Sequence, residues 1–246
     1  MRPLKLIASI ALATTLIQPG MAVDTDDSND PIITKFLDAS KRQQQALLGS
    51  QMEVDIDANI PKLKEHGNMK FLRTVRTVPK LGQIFYRKLG EFVGDKTVQH
   101  QVIERYVELE EDGGPGKDSI AITPANYKFR LKSKMTINQQ QTYVFELTPK
   151  GKKRDGLFKG ELWLDAATGM PLKERGKLVK NPSTLFLKSV EFVNDFSLQD
   201  GIAIPAHVEC TIETRIAGKA ELSINFSNFS RAVPEEEASV IPVSNP

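Results

Sequence analysis

The stretch Phe158-Lys159-Gly160-Glu161-Leu162-Trp163-Leu164-Asp165-Ala166-Ala167-Thr168-Gly169-Met170-Pro171-Leu172-Lys173 decides the fold. Leu162 and Leu164 fall on one side of an extended chain, and Glu161, Trp163 and Asp165 on the other. A period of two marks a strand with one buried face. Ala166-Ala167-Thr168-Gly169 is too short to hold a crossover, so the return strand, Met170 to Val179, must run antiparallel to the first.

The same grammar extends in both directions. Upstream, Tyr127, Phe129 and Leu131 alternate with Lys128, Arg130 and Lys132, and Tyr143, Phe145 and Leu147 alternate with Val144 and Glu146. Downstream come Leu185 to Leu198, a turn at Asp200-Gly201, Ala206 to Ile216, a turn at Ala217-Gly218, and Lys219 to Phe229. Nearer the start, Met52, Val54, Ile56, Ala58 and Ile60 alternate with Glu53, Asp55, Asp57 and Asn59, followed by strands at Asn68 to Val78 and Leu81 to Val93. Strands in series with short turns predict an antiparallel meander of about ten strands.

Two segments change period. Asp30-Pro31 is a helix start, a capping carboxylate followed by proline at the first helical position. The apolar positions Ile33, Phe36, Leu37, Leu47 and Leu48 carry that helix to about Leu48, ahead of Gly49. A second helix is predicted over Thr97 to Glu110, with Val98, Val102, Tyr106 and Leu109 on one stripe, ended by Asp112-Gly113-Gly114-Pro115-Gly116. A sheet this long must curl to bury its apolar face. The natural solution is an incomplete barrel with the two helices over its mouth, enclosing either a cavity or a filled core.

The first residues indicate a destination. Met1-Arg2-Pro3-Leu4-Lys5, the apolar run Leu6 to Ala13 and Gly20-Met21-Ala22 have the layout of a secretory signal peptide cleaved after about Ala22. The run is too short to span a bilayer as a helix. Residues 23–30 are acidic and expected to be disordered, 31–230 to form a single domain, and 231–246 a flexible tail. The chain has 33 Lys+Arg and 31 Asp+Glu, and the leader removes Arg2 and Lys5 without an acid. The balance left over offers no net attraction for nucleic acid. The single cysteine, Cys210, excludes an intramolecular disulfide.

Reactive constellations are absent. His66, His100 and His207 are scattered, and His100 with Glu104 reads as a solvated i, i+4 pair. Cys210 shares a strand face with Val208 and Ile212, the setting of an inert thiol. No nucleophile elbow or phosphate loop occurs. Asp55 and Asp57 lie on a polar strand face, and the basic turn Lys150 to Arg154 reads as a solvated hairpin tip. The chain is therefore read as no enzyme, with no cofactor and no metal.

The strand ending in Leu162-Trp163-Leu164-Asp165, the Thr168-Gly169 turn and Pro171-Leu172-Lys173 resemble the hairpin of the exported lipoprotein-carrier superfamily, the group of LolA, LolB and RseB. Ile122-Thr123-Pro124-Ala125-Asn126-Tyr127-Lys128-Phe129, Val144 to Lys150 and Asp200-Gly201-Ile202-Ala203-Ile204-Pro205-Ala206 are similar to its outer-membrane lipoprotein-sorting-like branch. The resemblance spans roughly Ile120 to Phe229. It implies a mainly β (α+β) fold, an unclosed antiparallel β-barrel of about 10–11 strands with amphipathic helices covering a concave apolar face.

In the carriers that face holds acyl chains, which implies a periplasmic carrier for lipid or acylated lipoprotein that sorts lipoproteins to the outer membrane. Its partners would be the lipid or lipoprotein and an inner- or outer-membrane receptor. The residues expected to line the cavity are Phe129, Leu131, Tyr143, Phe145, Leu147, Leu162, Leu164, Val190, Phe192, Val208, Ile212, Leu222, Ile224 and Phe226. The alternative is a periplasmic protein-interaction or stress-sensor module with a filled core.

Overall fold

A computed structural model of the chain describes residues 26–77, 82–113, 120–137, 139–151, 156–180, 187–214 and 218–231. The proposed leader and the residues after Arg231 lie outside these, as does most of the basic turn Lys150 to Arg154. Among the described residues ten strands succeed one another in chain order: β1 Ser50–Ile60, β2 Glu65–Val75, β3 Ile84–Gly94, β4 Tyr127–Ile137, β5 Gln140–Pro149, β6 Phe158–Asp165, β7 Pro171–Leu178, β8 Leu187–Gln199, β9 Ile202–Thr214 and β10 Lys219–Arg231.

They form one sheet in the order β3-β2-β1-β10-β9-β8-β7-β6-β5-β4, and every neighbouring pair is antiparallel. The two ends of that order, β3 and β4, do not pair, so the barrel is unclosed. This is the architecture the alternating pattern predicts. β1 shows the principle: Met52, Val54, Ile56, Ala58 and Ile60 are buried, and the acidic residues between them face outward.

The deciding hairpin is β6–β7. The Asp165 carboxylate accepts from the backbone N–H of Thr168 at 2.8 Å and from its hydroxyl, closing the turn. Burial pushes Asp165 up, but these hydrogen bonds prevail and hold it below its ordinary value. Gly169, at φ +76°, also serves the tertiary fold: a Cβ there would lie 2.8 Å from the Lys35 backbone of the first helix. Lys35 Nζ donates to the carbonyls of Ala166 and Ala167, at 3.1 and 3.2 Å. The turn is the dock for that helix.

This helix, α1, spans Pro31–Ala46, and the Asp30 carboxylate caps it from 3.0 Å on Ile32 N–H. Ile32, Ile33 and Phe36 complete one core with β4–β6, while Ala39 joins a second core on β1, β2, β9 and β10. Ahead of α1, Asp26 and Asp27 engage the edge strand β4. Asp27 N–H donates to the Phe129 carbonyl at 2.7 Å, and the Asp27 carboxylate accepts from Leu131 N–H at 2.7 Å. The edge is thereby partly covered.

The predicted second helix is a run of three pieces: α2 Lys96–Val98, a π-helical turn Gln99–Ile103 and α3 Glu104–Gly113. The wide turn lets Val98, Val102 and Ile103 all face the core. It also shifts the phase of α3: Tyr106 and Val107 pack inward, and Leu109, expected on the apolar stripe, is 53% exposed.

Candidate functional site

The register places one transverse row across the concave face: Leu131, Phe145, Leu162, Glu174, Asn194, Val208, Ile224, Ile56 and Met69. Both ends of this row are apolar. Its middle, on β7 and β8, carries a carboxyl and an amide.

The cavity residues expected from the sequence fall into two groups. Phe129, Phe145, Leu147, Leu162 and Leu164 have no exposed surface, and the first core seals them beneath α1. Leu222 and Ile224 are likewise buried, in the second core. Leu131, Tyr143, Val190, Phe192, Val208, Ile212 and Phe226 keep part of their surface open. Val190, Phe192, Val208 and Ile212 of this second group sit together on β8 and β9, paired as Val190 with Ile212 and, one row on, Phe192 with Cys210. The Phe158 ring stands edge-on to Phe192 at 5.0 Å, at the border with the sealed core. The concave face is therefore closed where the two cores lie and partly open at Leu131, Tyr143 and Phe226 and over β8 and β9.

Glu174 is the feature that sequence reasoning missed. In Lys173-Glu174-Arg175-Gly176-Lys177 every non-glycine residue is charged, and only the flanking Met170, Leu172 and Leu178, at the same parity, mark the side that Glu174 faces. Register settles it: Glu174 pairs with Leu162 and Asn194, both on the concave side. Burial pushes its carboxyl up to about 7, and the hydrogen bond from Asn194 Nδ2, at 3.4 Å, offsets only part of that. Its surface is nevertheless not sealed. Glu174 thus lies on the concave face with part of its surface still accessible.

Three other side chains share that signature. Tyr106 and Glu110 of α3 are both pushed up by burial while keeping accessible surface. Cys210 is too, its thiol pushed up to about 11, which leaves it protonated and inert at neutral pH. Tyr106 lies within electrostatic reach of Cys210 and of Tyr86 on β3. Arg73 faces Tyr86 across β2–β3 and Met52 across β1–β2, so it too points inward. A signal for it was present: Arg73 occupies an apolar position in the alternation Met69, Phe71, Arg73, Val75.

The opposite face is charged and heavily paired. Glu161 meets Lys132 and Arg175; burial raises its pKa, but these cations hold it below its ordinary value. Two hollows of about 620 Å³ each are lined mostly by charged and polar residues of this face, with Phe192 also lining one and Cys210 and Leu222 the other. Trp163 is there as well, beneath the Arg175 guanidinium at 5.2 Å, away from the concave face. Asp55 and Asp57 both accept from Asn68 Nδ2, at 2.6 and 2.9 Å. His100 pairs with Glu104 at 2.7 Å, and His66 and His207 stand elsewhere. Among the described residues no three His, Cys, Asp or Glu side chains cluster to hold a metal, and no helix is long and apolar enough to cross a membrane.

No family model matches the chain, and no curated protein does. Solved structures do. The chain is similar to a LolA superfamily protein of Nitrosomonas europaea, at 14% identity and a TM-score of 0.38, covering 82% of this chain and 95% of that one. It is similar to an outer membrane lipoprotein-sorting protein domain from Vibrio parahaemolyticus, at 16% identity and a TM-score of 0.36, covering 82% and 94%. It is also similar to the MucA/MucB complex structure of Pseudomonas aeruginosa, at 12% identity and a TM-score of 0.26, covering 78% and 93%. The half-barrel itself is defined by this chain's own strand pairing.

Proposed function

We propose that the protein is an exported carrier that binds the acyl chains of a lipid or lipoprotein in the groove over β8 and β9. The observation that carries this is the partly exposed apolar patch of Val190, Phe192, Val208 and Ile212 on the concave side, where Phe192 packs against one core and Val208 and Ile212 against the other. Apolar side chains left open inside a concavity gain when an acyl chain displaces water from them, by about 0.8 kcal/mol per buried methylene. The hairpin's likeness to the lipoprotein carriers supports the choice of ligand, and the leader-like first residues support a periplasmic location. Release would require α1 or α3 to yield when a membrane receptor docks.

Native mass spectrometry of detergent-free protein from the periplasm, followed by solvent extraction, tests the reading. A discrete added mass that extracts as an acyl lipid is the expected result. A bare chain mass, unchanged after incubation with phospholipid and a triacylated peptide, would overturn it and turn attention to protein partners.

A further inference from the structure

The outer face of the sheet is not evenly charged. β4 and β7 carry the same ladder, Lys128-Phe129-Arg130-Leu131-Lys132 and Lys173-Glu174-Arg175-Gly176-Lys177, with a cation at every second residue. One transverse row of outward side chains joins their centres: Arg130, Glu146, Glu161 and Arg175. From β8 onward the sign reverses. Glu191, Asp195, Glu209, Glu221, Asp55 and Asp57 continue these outward rows. Lys70 and Lys219 stand among them, paired to Asp55 and Glu221.

The basic half holds more cations than its own carboxylates match. Lys132 and Arg175 share the single Glu161 carboxylate. Arg130 is matched by Glu146, and Lys177 by Glu191 at 2.8 Å. Lys159 stands directly across from Lys177, a like-charge pair, and makes no ion pair with any described residue. Like charges directly opposite on neighbouring strands destabilise a sheet. Arg130, Lys132, Lys159, Arg175 and Lys177 together line one hollow of about 620 Å³, with Gly160 and Gly176, opposite one another, between them. Its remaining carboxylate, Glu209, turns to His207 at 3.5 Å.

We propose that the basic half of the outer face, β4–β7, is the docking surface for an acid-rich extended segment of a partner polypeptide, seated over this hollow between the two ladders. An extended chain turns alternate side chains to one side at the repeat of the ladders, about 6.7 Å, and the ladders stand three strand spacings apart, about 14 Å. One strand-like segment fits between them. Charge decides between a polypeptide and a bilayer. The acidic half begins one strand beyond β7, about 5 Å away and inside a screening length of about 8 Å. A flat anionic membrane would face both halves and be repelled by one, whereas a narrow acidic segment meets the cations alone. The surface is the reverse of the concave face, so the proposal does not depend on the acyl-binding reading.

Fluorescence anisotropy of labelled peptides with the purified full chain tests it. A peptide of alternating Glu and Thr should bind about tenfold or more tightly than its Gln-Thr counterpart, and its affinity should fall as salt is added. Lys159→Glu should abolish that preference while holding or raising the melting temperature, because it turns a like-charge pair into an opposite one. Lys96→Glu, a change of the same sign at an exposed position on α2, should leave the preference within about twofold. Equal loss in both variants would reduce the effect to net charge, and equal binding of the two peptides would remove the site; either overturns the proposal. Co-sedimentation with vesicles of equimolar phosphatidylglycerol and phosphatidylcholine, lost in Lys159→Glu, would overturn it too and assign the surface to a membrane.

Discussion

The lobe of β4–β6 beneath α1 and the stretch of β8–β9 at the middle of the sheet are built from the same alternation, yet one is sealed and the other is not. In the lobe, Phe129, Phe145, Leu147, Leu162 and Leu164 have no exposed surface, because Ile32, Ile33 and Phe36 of α1 lie on them. At the centre, Val190, Phe192, Val208 and Ile212 point to the same side and stay partly open. The strand pattern determines which side chains face inward. Whether they become core or wall depends on where the two helices rest, and that is fixed by local details such as the Gly169 dock and the π-helical turn.

The border between the regions should be the least tolerant place. At Gly160, a Cβ would lie 1.9 Å from the Arg175 carbonyl oxygen and 2.6 Å from the Gly176 Cα, so backbone would have to move. Gly160→Ala is expected to cost about 4 kcal/mol or more, read as a collapse of the urea midpoint or as insoluble protein. A soluble variant with an unchanged midpoint would mean that β6 and β7 do not approach so closely and that lobe and centre are less firmly joined.

The next effect separates the two regions directly. Phe145→Ala empties a fully enclosed site and should cost about 3–5 kcal/mol. Phe192→Ala removes a ring that is only partly buried and should cost about 1–2 kcal/mol. Binding should reverse that order, with Phe192→Ala weakening a fluorescent fatty-acid probe far more than its stability loss suggests. Equal stability losses, with probe binding untouched by Phe192→Ala, would make the centre ordinary core.

Most of the architecture was legible because it rests on periodicity and turns. The alternation in β1, the Asp30-Pro31 helix start and the Thr168-Gly169 turn each report a local constraint that the tertiary structure reinforces. The candidate site was legible only in part. The inward face could be read off, but its division into sealed and open residues depends on helix placement, to which strand spacing is blind. A regular helix would turn Leu109 inward, and one π-helical turn puts it outside. Glu174 sits in a run of charge, where only the flanking Met170, Leu172 and Leu178, at the same parity, signal that it faces inward. Arg73 stood in plain view at an apolar position, which is the better kind of signal, a polar residue where the pattern demands otherwise.

Glu174 offers the subtlest way to sharpen the contrast, because it titrates. Its folded pKa, about 7, lies above the ordinary carboxylate value, so the folded state holds its proton where the unfolded chain has lost it. Between about pH 4.5 and 7 the native state binds more protons, and stability must fall as pH rises, with the full cost present above about 7. Asp26, held down at about 2 by hydrogen bonds from Ser28 and Lys150 that outweigh its burial, acts in the opposite sense. It stabilises above the ordinary aspartate range and loses that contribution as pH falls towards 2. Glu174→Gln keeps the shape and an acceptor for Asn194 but removes the charge. It should raise stability at pH 8 by about 1–2 kcal/mol, less than the whole shift because solvent still reaches the carboxyl, and change nothing at pH 4. Urea midpoints at the two pH values measure this. A gain at both would point to packing, and no gain at either would mean that the centre of the concave face is as wet as bulk solvent.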